Sequence, residues 1–186
     1  MRQMAVGAAR KDAVRKGRKK SPMRTKWLMT FLVAGGFFSL TLPGAEPASA
    51  AAVPVVYIHE IQYSPPGPDV PVTTAKLDGE WVLLTNTTGK PVTMTNWTLR
   101  DKAGHVYRFP SFVLKARKSV EVHTGTGKNS AANLYWGHKP PSPASYVWNN
   151  SGKETATLKN AAGKTIDSRS YTGKPGSGAG QVFFKP

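Results

Sequence analysis

Beyond residue 50, apolar residues nowhere repeat at helical spacing for more than about a turn; what repeats is alternation. Val55–Tyr63 is β-branched and aromatic, and strict period two sets Val55, Tyr57, His59, Ile61 and Tyr63 on one face and Val56, Ile58, Glu60 and Gln62 on the other. Glu80–Asn86 reads as a second strand. Val92–Arg100 alternates with a phase slip at Asn96–Trp97, which predicts a bulge. Asp101–Gly104 has the chemistry of a hairpin turn into His105–Phe109, and Pro110 stops that strand. Further strands are expected at Lys118–Thr124, Tyr146–Trp148, Thr155–Lys159 and Lys164–Ser168, with Asn160–Gly163 turning between the last two. Pro- and Gly-rich breaks separate them, first at Ser64–Asp69. Short strands with a turn about every 8–12 residues describe a β-sandwich or barrel, not a bundle. The expected fold is therefore all-β.

The first fifty residues have a different character. A basic run from Lys16 to Lys26 leads into an apolar stretch, Trp27–Leu42, then Pro43-Gly44 and the small-residue series Ala48-Ser49-Ala50. That order predicts a secretory signal peptide over residues 1–50, cut before Ala51. The apolar stretch is shorter than the roughly 20 residues of a stable span, so a membrane anchor is the weaker reading and none is expected after cleavage. Met23 offers a shorter, conventional start. The expected localisation is secreted, in the cell exterior or at its surface. Ten of the 26 Lys and Arg and two of the 10 acids lie in this leader, so residues 51–186 keep half of the net charge of +16. The absence of cysteine excludes a disulfide framework, thiolate metal sites and a cysteine nucleophile, and leans toward a bacterial exported protein. Residues 173–186 read as a flexible Gly-rich C-terminal tail, in which Val182-Phe183-Phe184 either forms an edge strand or frays.

The order of these segments resembles a known family. Ile58-His-Glu-Ile-Gln-Tyr63, then Glu80-Trp-Val-Leu-Leu-Thr-Asn86, then Trp97-Thr-Leu-Arg-Asp101 are similar to a lamin-tail domain of bacterial secreted type. Phe109-Pro110, Trp148-Asn-Asn-Ser-Gly152, Thr155-Ala-Thr-Leu158 and Gly163-Lys-Thr-Ile-Asp167 follow in the same order. The resemblance covers roughly residues 53–172 of a domain expected over 51–172, and implies an immunoglobulin-like β-sandwich. It also implies an interaction module without catalytic residues, so none can be carried over. The Pro-rich Lys139–Pro143 loop has no counterpart in that pattern.

Chemistry has few anchors. His59, His105, His123 and His138 are scattered, with no metal-binding spacing. Ser119 and Ser151 lack a nucleophile elbow. Gly125-Thr-Gly-Lys128 lacks the spacing of a phosphate loop. No cofactor and no metal are expected. A carboxylate inside an apolar strand needs partners, and Glu80 is expected to pair with Arg100 or Lys102, and Glu60 with water or a backbone amide. The enzymatic alternative is a metal-assisted hydrolase, or an accessory domain of one, in which Glu60, Glu80, Asp101 and a histidine converge.

The surface says more. Lys115, Arg117 and Lys118 form a compact basic cluster, and Tyr135 and Trp136 are aromatic residues beside the polar loops, Trp136 being the ring expected to be exposed. Cations with exposed rings suit a polyanion. These five residues are the expected binding site. The expected partner is nucleic acid, a wall polymer or a cell-surface protein; a structural envelope or spore-surface protein is the third alternative.

Overall fold

A computed structural model describes residues 52–174 and 179–186. The predicted export leader lies outside the described residues. Among those described, no helix is long and apolar enough to cross a membrane.

Among the described residues, eleven short strands dominate. They are β1 Val56–Ser64, β2 Trp81–Asn86, β3 Val92–Thr93, β4 Thr98–Arg100, β5 Val106–Arg108 and β6 Val113–Leu114, followed by β7 Ser119–His123, β8 Asn133–Tyr135, β9 Gly152–Lys159, β10 Thr165–Gly173 and β11 Gly180–Phe183. A five-stranded sheet runs β11-β1-β2-β7-β8, antiparallel except at β7–β8. A four-stranded sheet runs β10-β9-β4-β5, and β3 pairs with β6 alone. Ile58, Ile61, Val82, Leu84, Val120 and Val122 from the first sheet share one core with Leu99, Tyr107, Ala156 and Leu158 from the second. Period-two burial thus folds the chain into an immunoglobulin-like sandwich.

Three local readings change. The register of β1 on β2 shifts between Ile58 and Glu60. The bulge exchanges the faces: Val56 and Ile58 point inward before it, Ile61 and Tyr63 after it. One uninterrupted alternation across Val55–Tyr63 is therefore corrected. The slip at Asn96–Trp97, by contrast, is no bulge. β3 and β4 belong to different sheets, and the chain crosses between them through a turn with Asn96 at φ 64° and Trp97 N–H donating to Met94 O. Tyr146–Trp148 forms no strand; Pro143–Ser145 makes a 3-10 turn and the next residues lie in a loop.

Three elements, α1, the two-residue β6 and β8, carried no sequence signal that alternation could show. α1, Thr74–Asp78, is a single turn whose N-cap Thr73 accepts from Lys76 N–H. β8 is a three-residue edge. The C-terminal apolar cluster takes the edge-strand option: β11 lies antiparallel on β1, with Glu60 opposite Phe183.

Candidate functional site

Carboxylates and cations part company in this fold. Between residues 52 and 186 stand eight acids; Glu60, Glu80, Asp101 and Glu154 are buried, and Asp69, Asp78, Glu121 and Asp167 are half-buried. None is exposed. Of the sixteen Lys and Arg in the same span, all but Lys76, Lys159 and Arg169 are exposed. The acids serve the interior. Glu80 opens β2 on its inward face, and its Oε1 accepts from Thr124 Oγ1 (2.6 Å), Val147 N–H (2.8 Å) and Trp148 N–H (3.2 Å). It is fully buried, and burial pushes its pKa up to about 8 against those hydrogen bonds. The expected pairing with Arg100 or Lys102 is thus corrected: Arg100 points to solvent, and Lys102 gives its backbone N–H to Glu154 Oε1 at 2.8 Å. Asp101 closes its own turn, with Oδ1 accepting from Gly104 and His105 N–H and Oδ2 lying 2.6 Å from His105 Nδ1.

The full hydrolase constellation does not assemble: His105, bonded to Asp101, borders the same cleft as Glu80, but Glu60 is not with them. Glu60 stands opposite Leu83 on the outer face of the five-stranded sheet, whereas Glu80, Val82 and Leu84 share the inner face. Glu60 accepts from the Gln181 side-chain amide on β11, and burial raises its pKa. Of the histidines, His105 and His138 meet edge to face at 6.0 Å, and the others stay apart. His59 reaches Thr85 Oγ1, His123 bonds Asp78 O and Asn133 Oδ1, and His138 donates to Ser145 O. Among the described residues, no group of three His, Cys, Asp or Glu is placed to hold a metal ion.

The five expected binding residues fall into two groups. Lys115, Arg117 and Lys118 are exposed in the turn between β6 and β7. That turn is well anchored: Arg117 N–H donates to Thr88 O, and buried Asn86 donates its amide to the carbonyls of Leu114 and Lys115. Tyr135 lies opposite His123, at the far end of β7, and stacks on its ring at 5.0 Å. A strand rise separates Lys118 from His123 by about 16 Å. Trp136 is half-buried, not the exposed ring expected, packed among Tyr107, His138 and Trp148 at 5.6–6.2 Å. The cations and the rings therefore do not form one surface.

A basic surface that sequence reasoning missed lies on the outer face of the four-stranded sheet. Thr98 stands opposite Arg108 on one side and Lys159 on the other; Arg100 stands opposite Thr157. Lys153, Thr155, Thr157 and Lys159 alternate with the buried Glu154, Ala156 and Leu158. Ser168 and Ser170 extend the face across β10, opposite Thr157 and Thr155. Arg100, Arg108, Lys153 and Lys159 thus sit on a lattice of hydroxyls with no carboxylate between them. A shallow depression of about 280 Å³ runs beside Arg100, Arg108 and Lys159. Arg100 and Arg108 flank one hairpin, but Lys153 and Lys159 lie far along the chain on β9, and the strand register brings them together.

At the end of the sandwich where Glu80 is buried, a cleft of about 370 Å³ is bordered by Tyr63, Asp69, His105, Tyr146, Trp148 and Asn150. Asn150 Nδ2 donates to Asp69 Oδ2 at 2.5 Å, and Tyr146 O–H donates to Asp69 O at 3.2 Å, so two loops meet across it.

The search of curated proteins finds no match to this chain. A family model described as Lamin Tail Domain matches residues 49–173. That span runs from before β1 to the end of β10 and takes in the sheets, the buried Glu80 and the crossing from β3 to β4. With two thirds of its length matched and the sandwich in place, the chain belongs to the lamin tail domain family.

Proposed function

We propose that this domain is a non-catalytic binding module of the cell exterior that engages an anionic polymer, nucleic acid or a wall polymer, through its exposed cations. The observation that carries this reading is the segregation of charge: every carboxylate of residues 52–186 is at least half-buried, and most cations face water. A surface with so few counter-charges creates a positive potential over its whole exterior, and a polyanion gains by displacing the ions that would otherwise screen it. The hydroxyl-lined face bearing Arg100, Arg108, Lys153 and Lys159 is the leading contact, with the Lys115–Lys118 turn as a second. Strand spacing of about 4.8 Å and a two-residue rise of about 6.7 Å set these cations at intervals suited to successive phosphates. The leader pattern supports export, where wall polymers and extracellular nucleic acid are met.

The test is affinity for duplex DNA and for a teichoic acid at several salt concentrations. Log affinity should fall steeply and linearly with log salt. Binding that ignores salt, or no binding at low salt, would refute the reading.

A further inference from the structure

The cleft above Glu80 answers to a different chemistry from the basic exterior. Two residues of its lining each carry a buried polar atom that finds no partner in the protein, Glu80 Oε2 and Trp148 Nε1. An unmet polar group in such a place costs on the order of 1–3 kcal/mol, so a group that meets it gains in proportion. Its lip holds the Asp69–Asn150 pair, and the rings of Tyr63, Tyr146 and Trp148 border it.

We propose that this cleft is a binding site for a neutral sugar, such as one residue of a polysaccharide chain. The donor and acceptor inventory selects that class. Trp148 Nε1 can only donate. Oε1 of Glu80 already accepts three hydrogen bonds, which leaves Oε2 to carry the proton when the carboxyl is neutral. With its pKa pushed up to about 8, the carboxyl is mostly neutral at physiological pH. The floor therefore offers donors, the Asp69 carboxylate on the lip accepts, and the His105 ring, held through Nδ1 by Asp101, leaves Nε2 as a further polar atom at the border. An organic ammonium would find the rings congenial but has no acceptor for the floor. An anion would meet Asp69. A sugar hydroxyl both donates and accepts, and the apolar face of a pyranose ring packs on aromatic side chains. The volume, about 370 Å³, is at the small end of ligand sites.

The site is separate from the cation-bearing sheet, and salt distinguishes the two. The purified protein is titrated with chitotetraose, cellotetraose and maltotetraose by calorimetry in about 0.5 M NaCl, where charge-driven binding is screened. At least one of these neutral oligosaccharides should bind and should change tryptophan fluorescence. Asp69→Asn and Tyr146→Ala should each weaken it about tenfold or more. Replacing Arg100, Arg108 and Lys159 together by serine should leave it unchanged. Circular dichroism verifies that each variant is folded, and should Tyr146→Ala unfold, Asp69→Asn and Tyr146→Phe decide. The proposal is overturned if none of the three sugars binds, if binding survives both cleft substitutions, or if choline binds in their place. None of these results bears on DNA binding at low salt.

Discussion

Glu80 links the fold to pH through a single proton. Its carboxyl titrates near 4.5 when exposed and at about 8 inside the sandwich, because burial outweighs the hydrogen bonds from Thr124, Val147 and Trp148. Between those values the folded chain keeps a proton that the unfolded chain has released. The contribution is fully present below 4.5, falls by roughly 1.4 kcal/mol per pH unit as pH rises, and is gone above about 8. Glu80→Gln supplies the same acceptor and a permanent donor in place of the proton. Urea midpoints between about pH 5 and pH 9 should therefore decline for the native protein and decline less for the variant; parallel curves would contradict the assignment. The need for partners at Glu80 was legible, since a carboxylate interrupts an apolar strand. Their identity was not. Arg100 and Lys102 were the expected partners, while the actual donors come from two loops brought in by tertiary folding. Two of those donors are backbone amides, which every sequence offers everywhere.

At the scale of elements, β1 depends on its bulge and on what closes it. Ile58 N–H, at the point where the register shifts, donates to Asp167 Oδ2 on β10 at 2.8 Å, and the same oxygen accepts from Arg169 Nε at 2.9 Å. This side chain ties the two sheets together. Asp167→Ala would leave a fully buried residue's N–H without its acceptor, at about 1–3 kcal/mol. Asp167→Asn keeps an acceptor and should cost less; equal denaturation midpoints for the two variants would sink this account. On the other edge, β11 covers β1, and Phe184 N–H donates to His59 O. Deleting residues 179–186 would bare the backbone of a nine-residue strand, an edge prone to pair with another copy. Sedimentation velocity should show self-association of the truncated chain, and a monomer indistinguishable from the full one would refute it. Alternation located nearly every strand because burial on one face imposes it. It missed phase at Ile58–Glu60 and misread the crossing at Asn96, because an inserted residue and a change of sheet both appear as the same slip of one position.

For the whole molecule, composition gives the net charge but not its arrangement. Residues 51–186 carry twice as many cations as acids, a ratio compatible with a mixed surface laced by ion pairs. Folding turns Glu80, Asp101, Glu154 and Asp167 toward backbone N–H groups that need acceptors, and leaves most of the long cationic side chains to water. The Lys115–Lys118 cluster was legible because it is contiguous in sequence. The face formed by Arg100, Arg108 and Lys159 was not, because register on three strands creates it. The two surfaces make separable predictions. Serine at Arg100, Arg108 and Lys159 should reduce the slope of log affinity against log salt for duplex DNA by about 3 if each cation displaces one counterion. Arg117→Gly should reduce it by about 1, at little cost in stability, since Arg117 holds φ 57°, where glycine is at ease. A larger effect from the turn than from the sheet would move the contact to the β6–β7 end. Unchanged slopes in both would mean that the exposed cations keep the protein soluble and do not grip a polymer.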